Sequence, residues 1–93
     1  MEFVKNDQHK IRYDLVPPKT LCLLAKVLTY GAEKYEPNNW KNCKDLERYK
    51  AAAMRHFEAY RLGEYKDPET NLPHLAHALC NLTFLLELED ETL

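Results

Sequence analysis

Pro73-His74-Leu75-Ala76-His77-Ala78-Leu79-Cys80-Asn81-Leu82-Thr83-Phe84-Leu85-Leu86-Glu87-Leu88 is the stretch that decides the fold. Leu75, Leu79, Leu82 and Leu86 recur at helical spacing, with Ala76, Cys80 and Phe84 alongside. That period predicts an amphipathic helix, opened by Pro73 at its first turn and running to about Leu88. Its face is interrupted by His74, His77 and Asn81, spaced i, i+3, i+7 and therefore stacked on one side. Polar groups set into an apolar helix need partners.

Working outward, residues 64–72 form a polar connector containing Asp67-Pro68, and Gly63 stops a helix before it. That second helix runs from Leu46 to about Leu62, with Asp45 as N-cap. Ala51, Ala52 and Ala53 permit close helix approach. A first helix begins after Pro17-Pro18, with Leu21, Leu24 and Leu28 in one apolar row and Leu23, Val27 and Tyr30 in the next. Gly31 is expected to end or bend it. A loop from Ala32 to Trp40 follows, and residues 1–16 read as an extended lead-in. The chain shows no convincing strand, so the expected fold is an all-α helical bundle in one domain.

With 93 residues there is no room for two independent cores. Thirteen Lys and Arg against 15 Asp and Glu give a net charge of −2, which argues against a nucleic-acid polymer as partner. Two glycines are too few for a phosphate-cradling glycine loop. No apolar run approaches a membrane span, and residues 1–7 contain no signal core; a cytoplasmic location is expected. The three cysteines are widely spaced. Cys22 and Cys80 read as buried thiols.

Four groups of residues could carry chemistry. Two imidazoles one turn apart, His74 and His77, could bind a metal or a phosphate, or sit in the core with hydrogen-bond partners. Arg55 and His56 on the second helix suit a phosphate; the alternative is a solvated Arg beside a half-buried His. Glu64, Asp67 and Glu69 could hold Mg²⁺ or Mn²⁺, or form a charged surface loop. Lys34, Tyr35, Asn39 and Trp40 form the last group: the Trp is either a lid over the core or a stacking platform for a base, and the Asn could read a base edge.

Read together, Arg12-Tyr13-Asp14-Leu15-Val16-Pro17, Gly31-Ala32-Glu33-Lys34-Tyr35, Asn39-Trp40, Arg55-His56, Gly63-Glu64, Asp67-Pro68-Glu69 and Pro73-His74-Leu75-Ala76-His77-Ala78 with Asn81 resemble the phage dATP/dGTP diphosphohydrolase N-terminal family. The resemblance runs from about residue 10 to 87. It implies a relative of the MazG-like all-α nucleotide pyrophosphohydrolases, a homo-oligomer, a divalent metal (Mg or Mn), and cleavage of a purine deoxynucleoside triphosphate to monophosphate and pyrophosphate. On that reading Glu64, Asp67 and His77 are catalytic. Metal ligands are Glu64, Asp67, His74 and His77. Substrate contacts come from Arg12, Lys34, Asn39, Trp40, Arg55, His56 and Asn81.

The chain departs from the MazG-like pattern. Those enzymes place ExxE and ExxD carboxylate pairs on adjoining helices, whereas here the third helix has no acid between Pro73 and Leu86, and Glu58 on the second lacks a partner. Glu33-x-x-Glu36 and Glu64-x-x-Asp67 match only in stretches expected to be loop. The metal site is either rebuilt from His and loop carboxylates or absent. The alternative function keeps the pocket without chemistry: a phage sponge that sequesters a signalling nucleotide of host immunity.

Overall fold

The computed structural model describes residues 1–92. Its described residues form three α-helices and no strand: α1 (Pro18–Lys34), α2 (Glu47–Arg61) and α3 (His74–Glu89). Short 3-10 turns lie at Tyr13–Leu15 and Asn39–Asn42. The all-α expectation therefore holds.

Each boundary has a local cause. Pro18 occupies the first turn of α1, where a missing N–H costs nothing. Helix α2 starts one residue later than expected, with Leu46 and not Asp45 as its N-cap. Asp45 Oδ1 still accepts a hydrogen bond from the Glu47 amide at 3.2 Å. Helix α2 ends at Gly63, whose φ of 103° lies in the left-handed region. The Glu64 amide donates to Ala59 O at 3.0 Å and the Gly63 amide to Tyr60 O at 3.0 Å, the paired bonds of a Schellman stop.

Two expectations for α1 are corrected. Gly31 neither stops nor follows the helix; α1 continues through Ala32 and Glu33 to Lys34. The glycine lies inside the last turn, and the Tyr35 amide donates back to its carbonyl at 2.9 Å. Cys22 is exposed, not buried. It lies beside exposed Leu21, whereas Leu23 and Leu24 next along α1 pack against the core and Val27 is buried. Cys80 is buried as expected, and burial pushes its thiol up to about 11.

The core is small. Val27 of α1 meets Ala76 and Cys80 of α3, with Leu23, Leu24, Leu28, Leu72 and Phe84 packed around them. Ala53 on α2 is also buried, the close approach its alanine run permits. Helix α2 packs on α3 more extensively than α1 does. The α2–α3 hairpin is thus the body of the molecule, and α1 leans against α3. Between them lies the groove described next.

Candidate functional site

The connector after Gly63 is tightly tied. The Asp67 amide donates to Leu72 O at 2.8 Å and the His74 amide to Tyr65 O at 2.9 Å, closing a single antiparallel bridge between Lys66 and Pro73. Inside this closed loop the Asp67 side chain makes an Asx turn: its Oδ1 accepts from the Glu69 and Thr70 amides at 2.9 and 3.0 Å. Burial opposes the charged carboxylate, but the Thr70 amide, the nearby His77 and the Glu69 amide together hold Asp67 below its ordinary value. Oδ2, which takes no part in the turn, lies 4.0 Å from His56 Nδ1.

Three imidazoles meet this carboxylate. His74, 4% exposed, places its Nε2 2.7 Å from Glu64 Oε1 and its Nδ1 2.8 Å from His56 Nδ1. His56 stacks on His77 with ring centroids 4.6 Å apart. His77 Nε2 lies 2.7 Å from Thr70 Oγ1. Burial, then the neighbouring His77 and His74, hold His56 below the usual imidazole value. Burial does the same to His77. Both are therefore neutral at pH 7.

His56, Asp67, Thr70, His77 and Asn81 line one part of an open groove of about 1670 Å³, together with Lys34, Asn39, Trp40, Arg48, Arg55, Glu69 and Phe84. Of the eleven residues to which the resemblance gives a site role, eight share this cavity: Lys34, Asn39, Trp40, Arg55, His56, Asp67, His77 and Asn81. Three do not line it. Arg12 lies in the lead-in, forked onto Asp14 at 2.9 and 2.8 Å. Glu64 and His74 stand outside the lining, with His74 buried behind His56.

The aromatic part of the groove is built on α3. Trp40 stacks on Phe84, centroids 4.9 Å apart and planes 16° from parallel. The Tyr49 hydroxyl donates to Trp40 O at 2.8 Å, and burial pushes that phenol up to about 12. One face of Trp40 therefore serves the core while the residue still lines the groove. Lys34 donates to Glu69 Oε1 at 2.8 Å, and the Tyr30 hydroxyl donates to the same oxygen at 3.0 Å. This contact ties the end of α1 to the Asp67 loop. Asn81 donates to His77 O of its own helix at 2.9 Å.

A cation would find three donor atoms close together: one each from His56, Asp67 and His74, all within 4.8 Å of one another. The sequence gives His56 a phosphate role and expects it to face His74, His77 and Asn81 across the packed helices. It does face His74 and His77, and it is as a cation donor that it is new to this group. His77, named there as a ligand, turns its Nε2 to Thr70, and Glu64 bonds His74. The signal that makes His56 a donor is spatial. The Schellman stop at Gly63 folds the chain back so that residue 56 meets residue 74.

The family described as dATP/dGTP diphosphohydrolase, N-terminal, matches residues 2–92. A dATP/dGTP diphosphohydrolase of Salmonella phage PMBT28 is 36% identical over 88 residues, covering 95% of this chain and 30% of that protein. The chain thus spans under a third of the relative's length. No solved structure matches.

Proposed function

Because the chain belongs to the dATP/dGTP diphosphohydrolase N-terminal family, we propose that its groove binds a purine deoxynucleoside triphosphate and promotes its hydrolysis to monophosphate and pyrophosphate. The observation that carries this is the groove's polarity. A stacked Trp40–Phe84 pair, basic side chains and a His–Asp cluster line one cavity. A purine, its polyphosphate and an attacking water need these three environments.

The residues divide accordingly. Trp40 stacks on the base and Asn39 hydrogen-bonds its edge. Arg55 and Lys34 offset the polyphosphate charge, Lys34 exchanging part of its bond to Glu69. His77, neutral and held by Thr70, accepts the proton of the attacking water. Asn81 lines the same wall. His56, Asp67 and His74 are the residues that would hold a divalent cation. A bound cation supplies positive charge to the phosphates and a more acidic water. Arg12, in the lead-in, reaches the nucleotide only through a second copy of the chain or a shift of residues 1–16. A MazG-like assembly of at least two copies is part of this proposal.

The test is incubation with dATP and dGTP in the presence of divalent cation, with products separated by chromatography. Stoichiometric monophosphate and pyrophosphate are expected. Tight binding with the nucleotide recovered intact would replace hydrolysis by sequestration. Trp40→Phe keeps a ring on Phe84 but presents a smaller face. It should lose part of the roughly 1–3 kcal/mol that base stacking contributes, with thermal stability held.

A further inference from the structure

The His56–His74 contact sets a problem of proton placement. Two imidazole nitrogens 2.8 Å apart cannot both present lone pairs to each other without repulsion. The Glu64 carboxylate lies 2.7 Å from His74 Nε2, and a carboxylate is an acceptor. A neutral His74 therefore carries its proton on Nε2, which leaves Nδ1 as a lone pair. That lone pair points at His56 Nδ1. Either His56 Nδ1 carries a proton and donates it to that lone pair, or the two nitrogens share a cation.

The surroundings favour a cation as the purpose of the arrangement. A buried imidazole whose far nitrogen donates to a carboxylate is the usual outer arrangement of a metal-binding histidine. Asp67 contributes Oδ2 from a loop whose hydrogen bonds already occupy Oδ1, so this carboxylate is aimed before any ion arrives. Metal–ligand bonds of roughly 2.0–2.2 Å set neighbouring donors about 3–4 Å apart. Here the two nitrogens are 2.8 Å apart, slightly under that range, and His56 Nδ1 lies 4.0 Å from Asp67 Oδ2. All three donors lie within 4.8 Å of one another, so a small adjustment brings them to one ion.

The donor chemistry then selects the cation. Magnesium takes oxygen ligands and keeps most of its water. This cluster offers two nitrogens and one uncommitted carboxylate oxygen. Imidazole donors suit borderline first-row transition ions instead. Neither α2 nor α3 carries two carboxylates three or four positions apart that could pair on one face for magnesium.

We propose that His56, His74 and Asp67 form a binding site for a divalent first-row transition cation, that Glu64 orients His74 from outside the ligand set, and that the site discriminates against magnesium. This extends the reading of the groove as a metal-dependent nucleotide site by naming the cation's class and assigning Glu64 a positioning role. On binding, His56 remains neutral and carries its single proton on Nε2 in place of Nδ1.

The test uses the full, tag-free chain without nucleotide, titrated with Co²⁺ and followed by its visible absorption bands. One Co²⁺ per chain is expected, displaced by Zn²⁺ and retained in a large excess of Mg²⁺. Glu64→Gln keeps a hydrogen-bond acceptor but removes the charge, and should weaken Co²⁺ binding roughly 10- to 100-fold with the helical circular dichroism unchanged. His56→Gln should abolish the bands, and His9→Ala, in the lead-in, should leave them intact. Absence of bands, displacement by Mg²⁺, or parental affinity in both Glu64→Gln and His56→Gln would overturn the proposal. A chain that binds Co²⁺ as described but leaves dATP and dGTP intact upholds it while defeating the hydrolytic reading. Hydrolysis with Mg²⁺ alone and no Co²⁺ binding does the reverse.

Discussion

His56 and His77 are held neutral by burial, and this gives the metal-free protein a defined pH response. A group whose folded pKa lies below its unfolded value binds protons more readily once the chain unfolds. The stability tied to these imidazoles is therefore fully present above about 6.5, the ordinary imidazole value, and is lost as pH falls below it. His56 faces His74, His77, Asp67 and Arg55; His77 faces Asp67, His74 and Glu69. The carboxylates soften the response and the neighbouring imidazoles sharpen it. Melting temperature measured in chelator should fall steadily from pH 7 to pH 5, and His77→Gln should reduce that slope. A parent profile flat over this interval would show that the imidazoles accept protons in place without cost.

The helices were the most legible elements, because hydrophobic period and punctuation agree along the chain. Pro17-Pro18, Asp45, Gly63 and Pro73 each mark a boundary to within two residues. Gly31 misled because glycine lacks direction: it ends a helix only where the chain turns left-handed, and here it stays helical. Cys22 misled because an apolar row does not say which part of a helix finds a neighbour. The site was half legible. Asp67, His74 and His77 lie close in sequence. His56 is expected to face the two histidines because both sets interrupt apolar rows at similar distances from the 63–72 connector, but its place among the cation donors emerges only once the α2–α3 turn is formed. That turn depends on Gly63. At φ 103° a side chain is strained whatever the space around it, and a Cβ there would meet nothing within 4 Å. Gly63→Ala should therefore cost about 1–2 kcal/mol through backbone strain alone. For a chain of this size that lowers the melting temperature by several degrees. The same variant should weaken cation binding, since Glu64 leaves the turn one residue later. Unchanged melting and binding would show that the turn can be remade without its left-handed residue.

At the scale of the whole molecule, the chain keeps too much surface. It exposes 7986 Å², against the roughly 5600 Å² that a folded monomer of this mass presents. Its radius of gyration is 16.8 Å, against about 12 Å for a compact chain of this length. Part of the excess is the extended lead-in, with Phe3, Val4, Ile11 and Leu15 exposed. Part is on the hairpin: Leu75, Leu82 and Leu86 of α3 and Met54 and Phe57 of α2 stand largely open. Apolar residues at helical spacing on an open face call for a cover. A second copy supplies one of matching chemistry. Light scattering at micromolar concentration should give at least twice the 11.0 kDa chain mass, and Leu82→Glu should shift it toward the monomer. A monomeric parent would leave those faces to another partner.

The order in which the molecule assembles follows from where its donors lie. His56 and His74 are 18 positions apart, and Asp67 falls between them, so every ligand atom belongs to one hairpin. Short-range contacts form early because little chain must be closed to make them. Helix α1 reaches the hairpin across a longer separation, through Val27 on Cys80 and Lys34 on Glu69. The cation cluster is therefore complete before the groove has its other wall. A metal ion added during refolding should accelerate the protection of α2 and α3 amides and leave that of α1 amides lagging behind. Pulse-labelled hydrogen exchange would read this directly, and simultaneous protection of all three helices would contradict it. The open groove would then be the last thing the chain makes, assembled around a donor cluster that is already there.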